Sequence, residues 1–226
     1  MKSSIWGENN EFFSAGRIDN LECAFTSLKG FIKGANDSNI QIYACFDNEE
    51  VGSQTKQGAA STLLYDVLRR LNDKLGMSEE EFSCAIANSF MLSCDNAHAV
   101  HPNHPNKTDI GNCAYMNEGI VIKSHAGQKY TSDGVSMAIF KAICEKAKVP
   151  YQFFANRSDE PGGSTLGNIA MSQVSINAID IGLAQLAMHS SYESAGVKDA
   201  GYMENVCKNF FDTCIRETEA GVFELR

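Results

Sequence analysis

The chain has 226 residues, 43% of them hydrophobic and 21% charged, with a formal net charge of −9. Those values exclude wholesale disorder and speak against a nucleic-acid or anionic-membrane surface. The length suits a single domain over residues 1–226, and no repeat, low-complexity tract or Pro/Gly-rich linker divides it. Eight cysteines form no CxxC pair and sit mostly in apolar runs such as IYACF and KAICEKA. That usage predicts reduced, buried thiols in a cytoplasmic protein. Neither a charged-then-apolar leader nor a run of 18 apolar residues is found.

Apolar residues at Leu21, Ala24, Phe25, Leu28 and Ile32 predict a helix over 18–33. A β-type run predicts a buried strand over 39–46. Leu63, Leu64, Val67, Leu68 and Leu71 predict a helix over 58–75. Residues 83–93 read as a further strand ending at Asp95, and 119–122 as another. A helix over 132–147, strands over 151–155 and 178–183, and a closing helix over 201–217 complete the series. Strands alternating with helices predict a three-layer α/β/α sandwich around a mixed sheet. In such sheets ligand sites gather beyond strand ends.

Asp47-Asn48-Glu49-Glu50 and Asp95 to His101 fall at such ends, and two further polar sets are Arg17-Ile18-Asp19-Asn20 and His189. The first is the oddest, with three acidic groups in four residues after an apolar run. Mixed carboxylate and imidazole donors suit zinc, manganese or cobalt, and a cation would offset the crowded charge. Adjacent glutamates allow one to be a ligand and the other a base. Each piece also has a plain reading: a solvated turn for Glu49-Glu50, a helix cap for Asp19, loop or core positions for the histidines. Asp47 receives no chemical role beyond shaping its turn.

The strings SAGRIDNLECAF, ACFDNEEVGSQTKQGA, SCDNAHAVHPNHPNK, GIVIKSHAGQKYTSD, RSDEPGGSTLGNI and DIGLAQLAMHSSYES resemble the aspartyl aminopeptidase family of zinc metallopeptidases. The resemblance runs through nearly the whole chain in one order. It implies a phosphorylase/hydrolase-like sandwich with two divalent metal ions, zinc foremost. By resemblance Asp19 bridges both metals, Glu50 and His189 bind one of them, and Asp95 binds the other. Glu49 corresponds to the general base, and His98, Lys123 and Tyr130 to positions that contact substrate. Lys123 suits an acidic side chain.

Family members also place a His-x-Asp element near their N-terminus and insert a smaller, oligomer-forming domain before the RIDN segment. This chain has no histidine before His98, so the resemblance implies the C-terminal half of a family member. Asn96, His104 and Lys129 stand where relatives often carry other residues. The implied function is removal of N-terminal residues, Asp or Glu by preference, from peptides, in a protein that is a homo-oligomer in its full-length form. The alternatives are a silent metal-binding fragment that works only with a separate N-terminal half, and an aminopeptidase of broader specificity.

Overall fold

Ile120, Ile122, Ile179 and Ile181 are completely buried; each such side chain contributes about 1.5–3 kcal/mol through the hydrophobic effect. They lie on strands at the centre of a computed structural model that describes residues 2–160 and 162–226. In chain order the first elements are β1 (Ser4–Trp6), β2 (Phe12–Ala15), α1 (Ile18–Lys33), α2 (Leu63–Lys74), α3 (Glu79–Ala87), β3 (Phe90–Cys94) and β4 (Ala97–His98). Then follow β5 (Ile120–Ser124), α4 (Gly134–Ala147), β6 (Tyr151–Ala155), α5 (Leu166–Met171) and β7 (Asn177–Gly182). The last are β8 (Ala184–Leu186), β9 (Glu193–Gly196), α6 (Val197–Phe211), β10 (Ile215–Glu219) and β11 (Val222–Leu225).

One sheet has the order β3-β7-β5-β6, a second the order β1-β2-β9-β8-β4, and β10 pairs with β11. The first sheet is mixed: β3 runs parallel to β7, β7 antiparallel to β5, and β5 parallel to β6. Side chains alternate between the faces of a strand. Ile120 and Ile122 therefore meet α4 and α6 through Phe140, Ile143 and Met203. Val121 faces the other way, toward Tyr130, Phe154 and Ala184. On that second side α5 approaches so closely that a Cβ on Gly167 would lie 2.4 Å from Ser93. Helices thus cover both faces, as the α/β/α expectation requires; α1 packs mainly on α6 and adds Cys23 to the same core.

The two sheets are joined. β3 passes into β4 through Asp95-Asn96 while β7 passes into β8 through Leu183, and the ladder continues across the break. Asp95 donates its backbone N–H to Ile181 (3.0 Å), and Ala97 donates to Leu183 (2.8 Å). Gly182 makes the joint possible, because a Cβ there would fall 1.9 Å from the Asp95 carbonyl oxygen.

Four expected elements differ, the first of them at its start: the helix expected over 58–75 runs from Leu63 to Lys74. Residues 39–46 form no strand, and Ile40 and Ile42 are exposed. A strand exists only within a ladder, and no main-chain hydrogen bond to this run is found among the described residues. Residues 79–87 are helical, because Ser78 and Glu81 cap each other's backbone N–H groups; the strand begins only at Phe90. The closing helix starts at Val197 and ends at Phe211, and 215–219 belong to a hairpin. Of the cysteines, 23, 144, 207 and 214 are buried, but 45 and 84 are exposed. No helix among the described residues is long and apolar enough to cross a membrane.

Candidate metal centre

Asp19 and Asn20 open α1 with backbone angles that are not helical (φ −78°, ψ 112° and φ −117°, ψ 27°). The regular helix proceeds from Leu21, so Asp19 is not part of its side-chain stack. Its carboxylate is buried at 5% exposure. His189 lies in the loop between β8 and β9 with φ at 66°, the left-handed region that a non-glycine residue occupies at a cost. Its Nε2 stands 2.9 Å from Asp19 Oδ2 and 3.2 Å from Glu50 Oε1. One donor atom from each of these three residues lies within 4.8 Å of the others.

Glu49 and Glu50 are presented by a turn that is braced from within. Asn48 takes a left-handed φ of 63°, and Asp47 Oδ1 accepts its N–H at 2.9 Å. Asp47 Oδ2 also accepts from Gln57 at 3.3 Å. Ser53 returns its N–H to Asn48 (2.9 Å) and Gly52 to Glu49 (2.8 Å). Gly58 then passes so close that a Cβ would sit 2.2 Å from the Ser53 carbonyl oxygen. Glu50 points outward and Glu49 is half-buried.

Asp95 is held at the sheet joint and does not join the three-donor group. Lys123, 2% exposed, donates to Asp95 Oδ2 (3.0 Å) and to the Asn96 carbonyl (2.8 Å). Its ammonium also lies 5.6 Å from the Tyr130 ring centre. Lys123 shares the Val121 face of β5, by strand alternation, and so reaches the cleft from beneath.

The electrostatics follow from crowding. Burial, then the charges of Asp95 and Glu50, push the Asp19 carboxyl up to about 7, against the opposing pull of His189. Burial and the same two neighbours raise Glu49. Desolvation within the cleft, then the positive charge of Lys123, holds the His98 imidazole below its usual value. Burial raises the Tyr130 phenol. A shared negative field that raises carboxyl pKa values is what a cation would relieve.

Asp19, Glu49, Glu50, Asp95, His98, Lys123, Tyr130 and His189 all line one cleft of about 500 Å³. Every candidate named from the sequence is thus in one place, although only Asp19, Glu50 and His189 converge within ligand reach of one another.

The family profile described as "Aminopeptidase I zinc metalloprotease (M18)" matches residues 1–211. The chain belongs to the M18 family. It is 48% identical over 211 residues to "Probable M18 family aminopeptidase 2" of Clostridium novyi, covering 93% of this chain and 49% of that protein. It is 40% identical over 223 residues to "Aspartyl aminopeptidase 4" of Saccharomyces cerevisiae, covering 93% and 46%. Among solved structures, the Ape4 and Nbr1 complex gives a TM-score of 0.87 at 35% identity, covering 94% of this chain and 41% of that one. The S. cerevisiae mApe1 dodecamer gives 0.78 at 29%, covering 93% and 48%. This M18 chain therefore spans about half the length of the curated relatives it matches.

The donor set fits the family's metal on chemical grounds. Two carboxylates and an imidazole within a few ångströms form a three-ligand set of the kind that leaves further positions of a zinc ion open. Two residues behind the three-donor group were not among the candidates named from the sequence. Glu193, 1% exposed, accepts the backbone N–H of Asp19 on Oε2 (3.0 Å) and of His189 on Oε1 (2.8 Å). Its signal was its place in MHSSYES, four residues after His189. Glu22, also buried, accepts from Asn96 Nδ2 at 2.9 Å and joins α1 to the Asp95 turn. No periodicity marks Glu22, because it lies with Cys23, Thr26, Ser27 and Gly30 on the buried face of α1, away from the exposed apolar residues Leu21, Phe25 and Ile32.

Proposed function

We propose that this chain carries the catalytic centre of a metal-dependent aminopeptidase that removes N-terminal residues, Asp or Glu by preference, from peptides. The observation that carries the reading is the meeting of Asp19, Glu50 and His189 within 4.8 Å, with Glu49 in the same cleft. These three residues would hold a divalent ion, zinc foremost, with manganese or cobalt as alternatives. Bound there, the ion would supply a Lewis acid for the scissile carbonyl and the attacking water. Glu49 takes the water's proton and returns it to the leaving amine, a task its raised pKa favours.

Asp95, facing the same pocket, offers a carboxylate to a second ion and to the free amine of the substrate. His98 and Tyr130 form walls against which the N-terminal residue is oriented. Lys123 lines the cleft, and its ammonium supports an acidic preference. The names of the yeast and Ricinus communis relatives, aspartyl aminopeptidases, point the same way. The dodecamer solved for yeast mApe1 supports a homo-oligomer here as well.

The test is hydrolysis of Asp-, Glu- and Leu-amides by the zinc-loaded chain. Faster release of the acidic residues supports the proposal, equal rates replace it with a broad specificity, and no release from any of them overturns the enzymatic reading. One observation favours a second reading, in which the chain holds a single ion: Asp95 is already paired with Lys123 and stands outside the three-donor group. Bound zinc per chain separates one ion from two.

A further inference from the structure

We infer that Glu193 is the positioning residue of the site, a single buried carboxylate that locks the backbones of both Asp19 and His189. The inference rests on the preceding reading of those two residues as metal ligands.

The ladder explains how one side chain reaches both. β2 and β9 pair antiparallel with Ala15 opposite Glu193. The segment that leads to Asp19 therefore leaves the sheet at the end where the His189 loop enters it. The segments pass closely, since a Cβ on Gly16 would lie 3.2 Å from the Ser191 carbonyl oxygen. Ser14 and Ser194, one step along the same ladder, bond through their hydroxyls at 2.6 Å, and this fixes the register. Glu193 is then held between the two segments at 1% exposure.

Among the described residues, neither the Asp19 nor the His189 amide has a main-chain acceptor. Asp19 N–H is one of the orphan donors at a helix start. His189 sits at a left-handed φ of 66°, a conformation that persists only where the surroundings enforce it. Each amide instead donates to a different oxygen of Glu193, at 3.0 and 2.8 Å. Charge-assisted bonds of this kind are about twice as strong as neutral ones. The residue type follows from the geometry. Two N–H donors demand two acceptors on one side chain, and only a carboxylate supplies both; a glutamine would turn its NH₂ toward one of the donors.

The consequence is a fixed distance between two ligand-bearing backbones that are remote in sequence. Outer-shell partners of metal ligands typically tune metal affinity about 10–100-fold. Glu193 differs from the usual partner in that it orients main chain and leaves the ligating side chains free.

The test uses the full chain and two readouts. Amide hydrogen exchange by NMR on the metal-free wild type should show Asp19 and His189 protected. Zinc titration should then give an affinity about 10–100-fold weaker for Glu193→Gln, with one of the two amides losing protection and the thermal midpoint near wild type. In the cobalt-loaded forms, the visible spectrum should shift between wild type and variant, a change a merely structural role would not produce. Free exchange at both amides in the wild type overturns the inference, even if the variant fails to fold. Wild-type zinc affinity in a folded Glu193→Gln also overturns it. Failure of the wild type to take zinc would instead overturn the metal reading, leaving amide protection to decide whether the bridge exists.

Discussion

His189 Nε2 lies 2.9 Å from Asp19 Oδ2, a contact between an imidazole and a carboxylate from opposite ends of the chain. Burial and three neighbouring carboxylates push Asp19 up to about 7, and His189 alone among the main contributors pulls it down. A site with this surplus of negative charge is poised for a cation. Asp19→Asn removes the charge and keeps the shape. Isothermal titration with zinc should show an affinity at least about 100-fold weaker, equal to about 2.7 kcal/mol. An unchanged affinity would remove Asp19 from the ligand set.

Glu49 shares the cleft with the donor group and is absent from it. Glu49→Gln should therefore bind zinc like the wild type and lose turnover by about 10²–10⁴-fold, the range for a general base. Steady-state hydrolysis of an Asp-amide, paired with zinc titration, checks both halves. A loss of zinc binding would make Glu49 a ligand.

The Lys123–Asp95 pair is 3.0 Å long, with side-chain exposures of 3% and 15%. Breaking a buried pair leaves one charge without compensation, at about 3–5 kcal/mol. Lys123→Met should lower urea-unfolding stability by about that amount, and adding Asp95→Asn should restore most of it. A single variant as stable as wild type would show that water reaches Asp95.

Glu22 makes stability depend on pH. Burial pushes its carboxyl from 4.5 up to about 8, with Asp199 adding to the rise and the Asn96 hydrogen bond opposing it. Between those values the folded chain holds a proton that the unfolded chain has released. Its contribution is therefore full below pH 4.5 and is lost as the pH rises through 8. Glu22→Gln keeps an acceptor for Asn96 and does not titrate. Urea unfolding at pH 5 and pH 9 should show the wild type losing stability relative to the variant, on the order of a few kcal/mol. Parallel profiles would refute a buried, protonated Glu22.

The strands 151–155 and 177–182 were legible because continuous apolar runs bounded by turns mark buried strands, and α1 because its apolar spacing is helical. The candidate site was legible as a cluster, since the residues that the family resemblance singled out in FDNEEVGS and MHSSYES line one cleft. Less visible were features that depend on a partner. The run IQIYACF has strand character, but a period shows a face and never the neighbouring strand. Residues 79–87 carried a readable signal, the Ser78–Glu81 capping box, which the apolar run FSCAIA obscured. Glu193 was hidden for another reason: its work is done on main-chain amides, and those are set by the β2–β9 register rather than by residue type.

Asp19, Glu50 and His189 are proposed to form one metal site. Its most direct test is a crystal structure of the zinc-soaked chain, with anomalous data collected at the zinc edge. The expected result is a peak about 2.0–2.2 Å from Asp19 Oδ2, Glu50 Oε1 and His189 Nε2. A fully soaked crystal with no peak in this cleft, or with zinc bound by other residues, would contradict it.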